Sequence, residues 1–137
     1  MTVLDASVWI SGIHADETNH DVSMRWRDAW LARGDDIAVP VHFLGEITSA
    51  FARRRDGSEE AGLVALRGVL DEPRVVRFDL DDALAQAAAR AAARCRIRAG
   101  DALYVALAEQ LGVPLITWDV QLLDRARVVV DVRHPTA

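Results

Sequence analysis

A chain of 137 residues with 51% hydrophobic and 27% charged content is sized for one compact domain with a buried core, and residues 1–137 read as a single domain. Its net charge of −5 argues against coating nucleic acid through a general positive field, because such binding runs on many phosphate contacts and displaced counterions. No apolar run approaches the roughly 20 residues needed to cross a bilayer, the N-terminus MTVLDASVWI lacks the basic segment and cleavage site of a signal peptide, and the single Cys95 has no disulfide partner, so a cytoplasmic protein without membrane association is expected.

In chain order, the first strand is expected at Thr2 to Leu4. Val22, Trp26 and Trp30 then recur at helical spacing, and a second strand follows at Ile37 to Val39. Phe43, Leu44, Ile47, Ala50 and Phe51 form an apolar helical stripe, and Glu59 to Leu70 reads as another helix. A third strand at Val75 to Phe78 leads into the Ala-rich pattern from Leu80 to Cys95, which is a good helix former. A helix from Ala102 to Leu111 is closed by Gly112 and Pro114, and strands at Leu115 to Trp118 and Val128 to Val130 complete the chain. Short β-branched runs alternating with longer helical patterns indicate βαβ units, hence an α/β fold around a parallel sheet of about five strands.

Ligands of such sheets sit beyond the carboxyl ends of the strands, so polar residues placed there are the first to inspect. Asp5 closes the first strand and Asp119 follows the fourth. Asp101 opens the helix from Ala102, and Glu46 borders the apolar stripe of its helix in a polar row with His42, Ser49 and Arg53. Thr117 alternates to the same side as Asp119, and Ser7 shares the side of Asp5 if the extended run continues past the first strand.

Each acid has a plainer explanation. Asp101 and Asp119 suit helix N-caps, Asp5 suits a strand-to-helix turn, and Glu46 suits a surface pair with Arg53. Coincidence is what these readings leave unexplained, since four carboxylates at one sheet edge repel and raise one another's pKa. Every one of the 16 basic residues is Arg, so no lysine is present to neutralise them, and the lysine-dependent phosphate sites, a P-loop among them, are excluded. A hard divalent cation offsets that repulsion, and an all-oxygen donor set suits Mg²⁺ or Mn²⁺ better than zinc. The matching chemistry is phosphodiester hydrolysis by a metal-activated water, with no Ser or His nucleophile.

The segments VLDAS at Asp5, LGEITSAFARR at Glu46, AGDALYVALA at Asp101 and LITWD at Asp119 resemble, in order and over essentially the whole chain, the four acidic motifs of the PIN-domain superfamily. Within that superfamily, the size and motif surroundings look most like VapC-type toxins of bacterial toxin–antitoxin pairs. The resemblance implies a three-layer α/β/α fold, Mg²⁺- or Mn²⁺-dependent endoribonuclease activity, a homodimer, and inhibition by a small cognate antitoxin. It also implies Asp5, Glu46, Asp101 and Asp119 as the metal-binding catalytic acids, with Thr117 as the hydroxyl of the fourth motif. Asp124 is a candidate fifth acid, but one further turn along it reads rather as a solvated or capping residue. Many relatives carry Asp-Thr or Asp-Ser in the first motif, where this chain has Asp5-Ala6-Ser7.

Two Arg runs flank the motifs, Arg53 to Arg55 and Arg94, Arg96 and Arg98; they suit RNA phosphates or, equally, solvated helix ends. Trp9 and Trp118 adjoin acidic motifs and could stack on unpaired bases, although Trp118 reads as core or second layer, and Trp26 and Trp30 as core or a hydrophobic contact face. Cys95 reads as a buried structural thiol. Two other functions fit the same residues: a housekeeping PIN nuclease in RNA processing, and a non-catalytic acidic surface that docks a basic partner.

Overall fold

The computed structural model describes residues 1–136, which alternate strand and helix as β1 (Thr2–Leu4), α1 (Ala6–Ile13), α2 (His20–Arg33), β2 (Ile37–Pro40), α3 (Phe43–Ala52), α4 (Glu59–Leu70), β3 (Val75–Phe78), α5 (Asp82–Cys95), α6 (Ala99–Leu111), β4 (Leu115–Ile116), α7 (Val120–Arg125) and β5 (Val132–Arg133). The strands form one all-parallel sheet in the order β3-β2-β1-β4-β5, with Thr2 opposite Ile37 and Val3 opposite Leu115 in the central registers. The chain therefore builds outward from β1 to β3, returns to the centre, and builds outward again through β4 to β5. Right-handed crossovers in two opposite directions put α1 to α4 on one face and α5 to α7 on the other, which gives three layers.

The central strands are apolar on both sides because both faces are covered, and Val3, Leu4, Ile37, Ala38, Val39 and Leu115 are all essentially inaccessible. Trp26 and Trp30 stack 6.4 Å apart, and Trp9 meets both Trp30 and Phe43 edge-on, so three of the four tryptophans belong to the core beneath α1 to α3. On the opposite face α5 presents Leu84, Ala88, Ala91 and Cys95, and its small residues let α6 pack closely. Cys95 is a buried thiol there, and burial raises its pKa.

Three expectations shift. The fifth strand lies at Val132–Arg133; Ala126–Val128 forms a 3-10 turn and Val129 and Val130 lead out of it. Val128 is exposed, and the β-branched run continues a turn closed by hydrogen bonds from the Val129 and Val130 amides to the Ala126 carbonyl. Two helices escape the periodicity argument: α1, whose apolar residues are spread around most of its circumference, and α7, which spans only 6 residues. Finally, α6 begins at Ala99, so Asp101 sits inside its first turn and is not its cap.

The turn from α5 to α6 is tight. Arg96 closes α5 in the left-handed conformation at φ 56°, a region costly for a side-chain-bearing residue, and its carbonyl accepts a hydrogen bond from Arg125 Nη1 at 2.6 Å. That turn delivers Arg98, Gly100 and Asp101 to the carboxyl edge of the sheet.

Candidate metal and nucleic-acid cleft

In the strand order, β1 and β4 are the neighbours from which the chain departs in opposite directions, and crevices form at such switch points. Asp5 follows β1, and Thr117, Trp118 and Asp119 follow β4, so both strands discharge polar residues into that crevice. The starts of α3 and α6 wall it from either side. Asp5, Glu46, Asp101 and Asp119 all line this one cleft, together with Ser7, His42, Ser49, Arg53, Arg98 and Trp118. Four acids separated by as many as 114 positions in sequence (119 − 5) thus share a single opening.

Asp5 is the deepest, at 6% exposure. Its Oδ2 accepts from Thr117 Oγ1 at 2.6 Å and from Ser7 Oγ at 2.7 Å. Ser7 reaches it from the first turn of α1, since the extended run ends at Leu4. Burial pushes the Asp5 pKa up, the two hydroxyls pull it down, and the charges of Glu46 and Asp101 push it up again. Thr117 is fully buried and lies behind the cleft wall, where it also accepts from the Asp119 amide at 2.9 Å.

The other three acids are more open and each is turned toward its own neighbourhood. Asp119 caps α7 by accepting from the Leu122 amide at 3.1 Å, so the capping reading and the cleft position are both true of it. Asp101 pairs with Arg98 at 3.1 Å; its pKa is raised chiefly by burial, which the Arg98 contact opposes and the charges of Asp119 and Glu46 reinforce. Glu46 lies 2.6 Å from His42 Nε2, and the pair with Arg53 is not formed. Among the described residues no three His, Cys, Asp or Glu side chains converge as a ready-made coordination shell. The four acids share one cleft.

The donor chemistry nevertheless suits a hard cation. The acids supply carboxylate oxygens, no thiol lines the cleft, and the lining imidazole, His42, is already engaged. Behind them Tyr104 is fully buried with its hydroxyl unpartnered, and burial together with the charges of Glu46 and Asp5 holds its pKa well above the ordinary tyrosine value. The PIN domain family matches residues 2–128.

The chain belongs to the PIN-domain family. Ribonuclease VapC12 of Mycobacterium tuberculosis is 34% identical over 125 residues, covering 89% of each protein. In fold, the chain resembles Mycobacterium tuberculosis VapC20, described as a sarcin–ricin loop cleaving toxin, with a TM-score of 0.73 at 20% identity over 87% of this chain and 90% of that one. It also resembles the DNA-bound VapBC of Salmonella typhimurium, with a TM-score of 0.73 at 15% identity over 98% of each chain. The five-stranded parallel sheet with helices on both faces is thus the three-layer α/β/α fold of this PIN-domain protein.

The two Arg runs divide. Arg53 and Arg98 line the cleft, whereas Arg54 pairs with Glu17 at 2.8 Å and Arg94 lies along α5 beside Ala87, Arg90 and Glu109. Asp124 is exposed and outside the cleft. Sequence reasoning passed over Tyr104 and left His42 as one member of a polar row. For Tyr104 the only available signal was a polar tip within an otherwise apolar helical stretch.

Trp118 is half-buried and held at both ends, its amide donating to Ser7 Oγ at 3.2 Å and its indole Nε1 to Ser23 Oγ at 2.7 Å. Ser23 is in turn 2.6 Å from Ser11, so a buried hydroxyl network ties this cleft wall to α1 and α2. The ring is thereby fixed in orientation, as either a wall or a stacking face requires.

Proposed function

We propose that this PIN-domain protein is a metal-dependent endoribonuclease and the toxin of a type II toxin–antitoxin pair. The observation that carries the reading is the assembly of four carboxylates from four separate segments in one cleft at the switch point of the sheet. Its relationship to a ribonuclease VapC and its likeness in fold to VapC toxins, one described as cleaving the sarcin–ricin loop, support the same activity. Solved VapBC assemblies bound to DNA support a small antitoxin as partner.

In this reading Asp5, Glu46, Asp101 and Asp119 hold Mg²⁺ or Mn²⁺, and Thr117 positions Asp5 from behind. When bound, the cation supplies Lewis-acid activation of water and neutralises phosphate charge. The chain's own residues do the rest. Thr117 and Ser7 keep Asp5 in a single orientation with its buried charge hydrogen-bonded. Arg98 and Arg53 stand at the rim where forked guanidinium groups can seat RNA phosphates. The protein acts in the cytoplasm as a homodimer, and no helix among the described residues is long and apolar enough to cross a membrane.

The decisive experiment measures cleavage of tRNA, rRNA and mRNA by the purified chain with Mg²⁺, Mn²⁺ or chelator. Cleavage that requires the metal and is lost in Asp5→Asn and Asp101→Asn, both folded, is expected. Unchanged cleavage in both variants removes the mechanism. Growth arrest on expression, relieved by a small co-expressed neighbour, separates a toxin from a housekeeping nuclease.

A further inference from the structure

Glu46 is carried by α3 and Asp101 by α6, helices on opposite faces of the sheet, so something must fix their separation where they meet at its edge. His42 stands between them. Its Nε2 donates to the Gly100 carbonyl at 3.1 Å, one residue before Asp101, and lies 2.6 Å from Glu46 Oε1, one helical turn along α3. Both neighbours of this nitrogen are acceptors, a carbonyl and a carboxylate. An Nε2 lone pair directed at either would be repulsive, so Nε2 carries the hydrogen.

The opposite ring nitrogen, Nδ1, is buried with no partner, so the ring's contacts run through Nε2. The ring itself is backed by Tyr104, with centroids 5.0 Å apart, and Tyr104 sits on α6 three residues after Asp101. His42 is therefore braced by the helix that it binds.

We propose that His42 is a positioning residue that joins Glu46 to the Gly100–Asp101 turn through its Nε2–H, setting the span between these two acids across the sheet edge. The proposal rests on reading Glu46 and Asp101 as cation ligands. With one oxygen of Glu46 2.6 Å from the imidazole Nε2, the carboxylate is restrained from turning out to solvent, and the α6 start is hydrogen-bonded to the same ring. His42 touches neither substrate nor cation in this role.

Two measurements on the full chain test it. In the wild-type protein, long-range proton–nitrogen NMR is expected to report His42 with hydrogen on Nε2; a hydrogen on Nδ1 alone overturns the proposal, because Nε2 could then join neither oxygen. The second is Mn²⁺ binding followed by electron paramagnetic resonance in His42→Gln, whose amide reaches the Nε2 position, and His42→Asn, whose amide falls short of it. His42→Asn is expected to bind Mn²⁺ about 10- to 100-fold more weakly, as for other residues that orient metal ligands, while His42→Gln keeps most of the wild-type affinity. Wild-type affinity in His42→Asn, or equal loss in both variants, overturns the proposal. If a variant does not fold, the wild-type tautomer still decides. A wild type that takes up no Mn²⁺ defeats the cation-site reading, and the tautomer then judges the His42 link by itself.

Discussion

The Thr117 hydroxyl donates to Asp5 Oδ2 at 2.6 Å and accepts from the Asp119 amide at 2.9 Å, so one fully buried side chain fixes two acid-bearing segments at once. Thr117→Val keeps the shape and removes both bonds. It leaves the Asp119 amide without this acceptor and the buried Asp5 carboxylate with Ser7 as its remaining hydroxyl donor. A stability loss of about 1–3 kcal/mol is expected, the usual cost of an unsatisfied buried polar group. Chemical denaturation measures it, and a variant as stable as wild type would show that the hydroxyl is not holding the two segments.

Asp5→Asn separates charge from shape, because the amide oxygen can still accept from Thr117 and Ser7. Burial raises the Asp5 pKa in the folded state, so the native protein retains a proton that the unfolded chain has released. Stability is then undiminished below the ordinary carboxylate value of 3.8, falls as pH rises through the interval up to the raised native value, and stays reduced above it. In chelator, Asp5→Asn is expected to gain on wild type between mildly acidic and neutral pH and to converge with it as pH approaches 3.8. Parallel melting curves across that range would mean that Asp5 is not destabilised by its burial.

A cation that binds the native cleft must stabilise the fold, since the unfolded chain cannot gather these acids. At a free concentration about one hundred times the dissociation constant, the gain is about 2.7 kcal/mol. Mg²⁺ or Mn²⁺ is therefore expected to raise the melting temperature by several degrees in wild type and far less in Asp101→Asn. A transition indifferent to both metal and EDTA counts against native-state binding.

The residues that sequence placed correctly are those whose chemistry and position are both local. Asp5 and Asp119 lie next to strands that hydrophobicity marks clearly, and Glu59–Leu70 forms as a helix over the full expected length because Ser58 caps it by accepting from the Ala61 amide. What stayed hidden depends on the third dimension. The Ser7 contact with Asp5 comes from a helix turn instead of a strand, and α1 is packed around most of its surface, so it shows no clean amphipathic stripe. The link from His42 to Gly100 spans 58 positions and leaves no periodic trace. The hydroxyls of Thr117 and Ser7 and the Asp119 cap were legible, but the pairings of Glu46 with His42 and of His42 with Gly100 were not.

Arg98 offers the clearest separation of substrate contact from fold. Its side chain is 79% exposed and pairs with Asp101, whose side chain is only 16% exposed, so an acid that turns to a cation releases the guanidinium at the cleft rim. Arg94 belonged to the same run in sequence but lies along α5, away from the cleft. Exposed charges contribute little to stability, so neither Arg98→Ala nor Arg94→Ala should unfold the protein. If Arg98 seats one phosphate of a single-stranded substrate, its loss raises KM and reduces the slope of log affinity against log salt by about 0.7. Arg94→Ala should leave both quantities unchanged. Equal effects from the two variants would mean that the chain attracts RNA through a diffuse field, whereas an effect confined to Arg98 ties recognition to the same cleft that gathers the four acids.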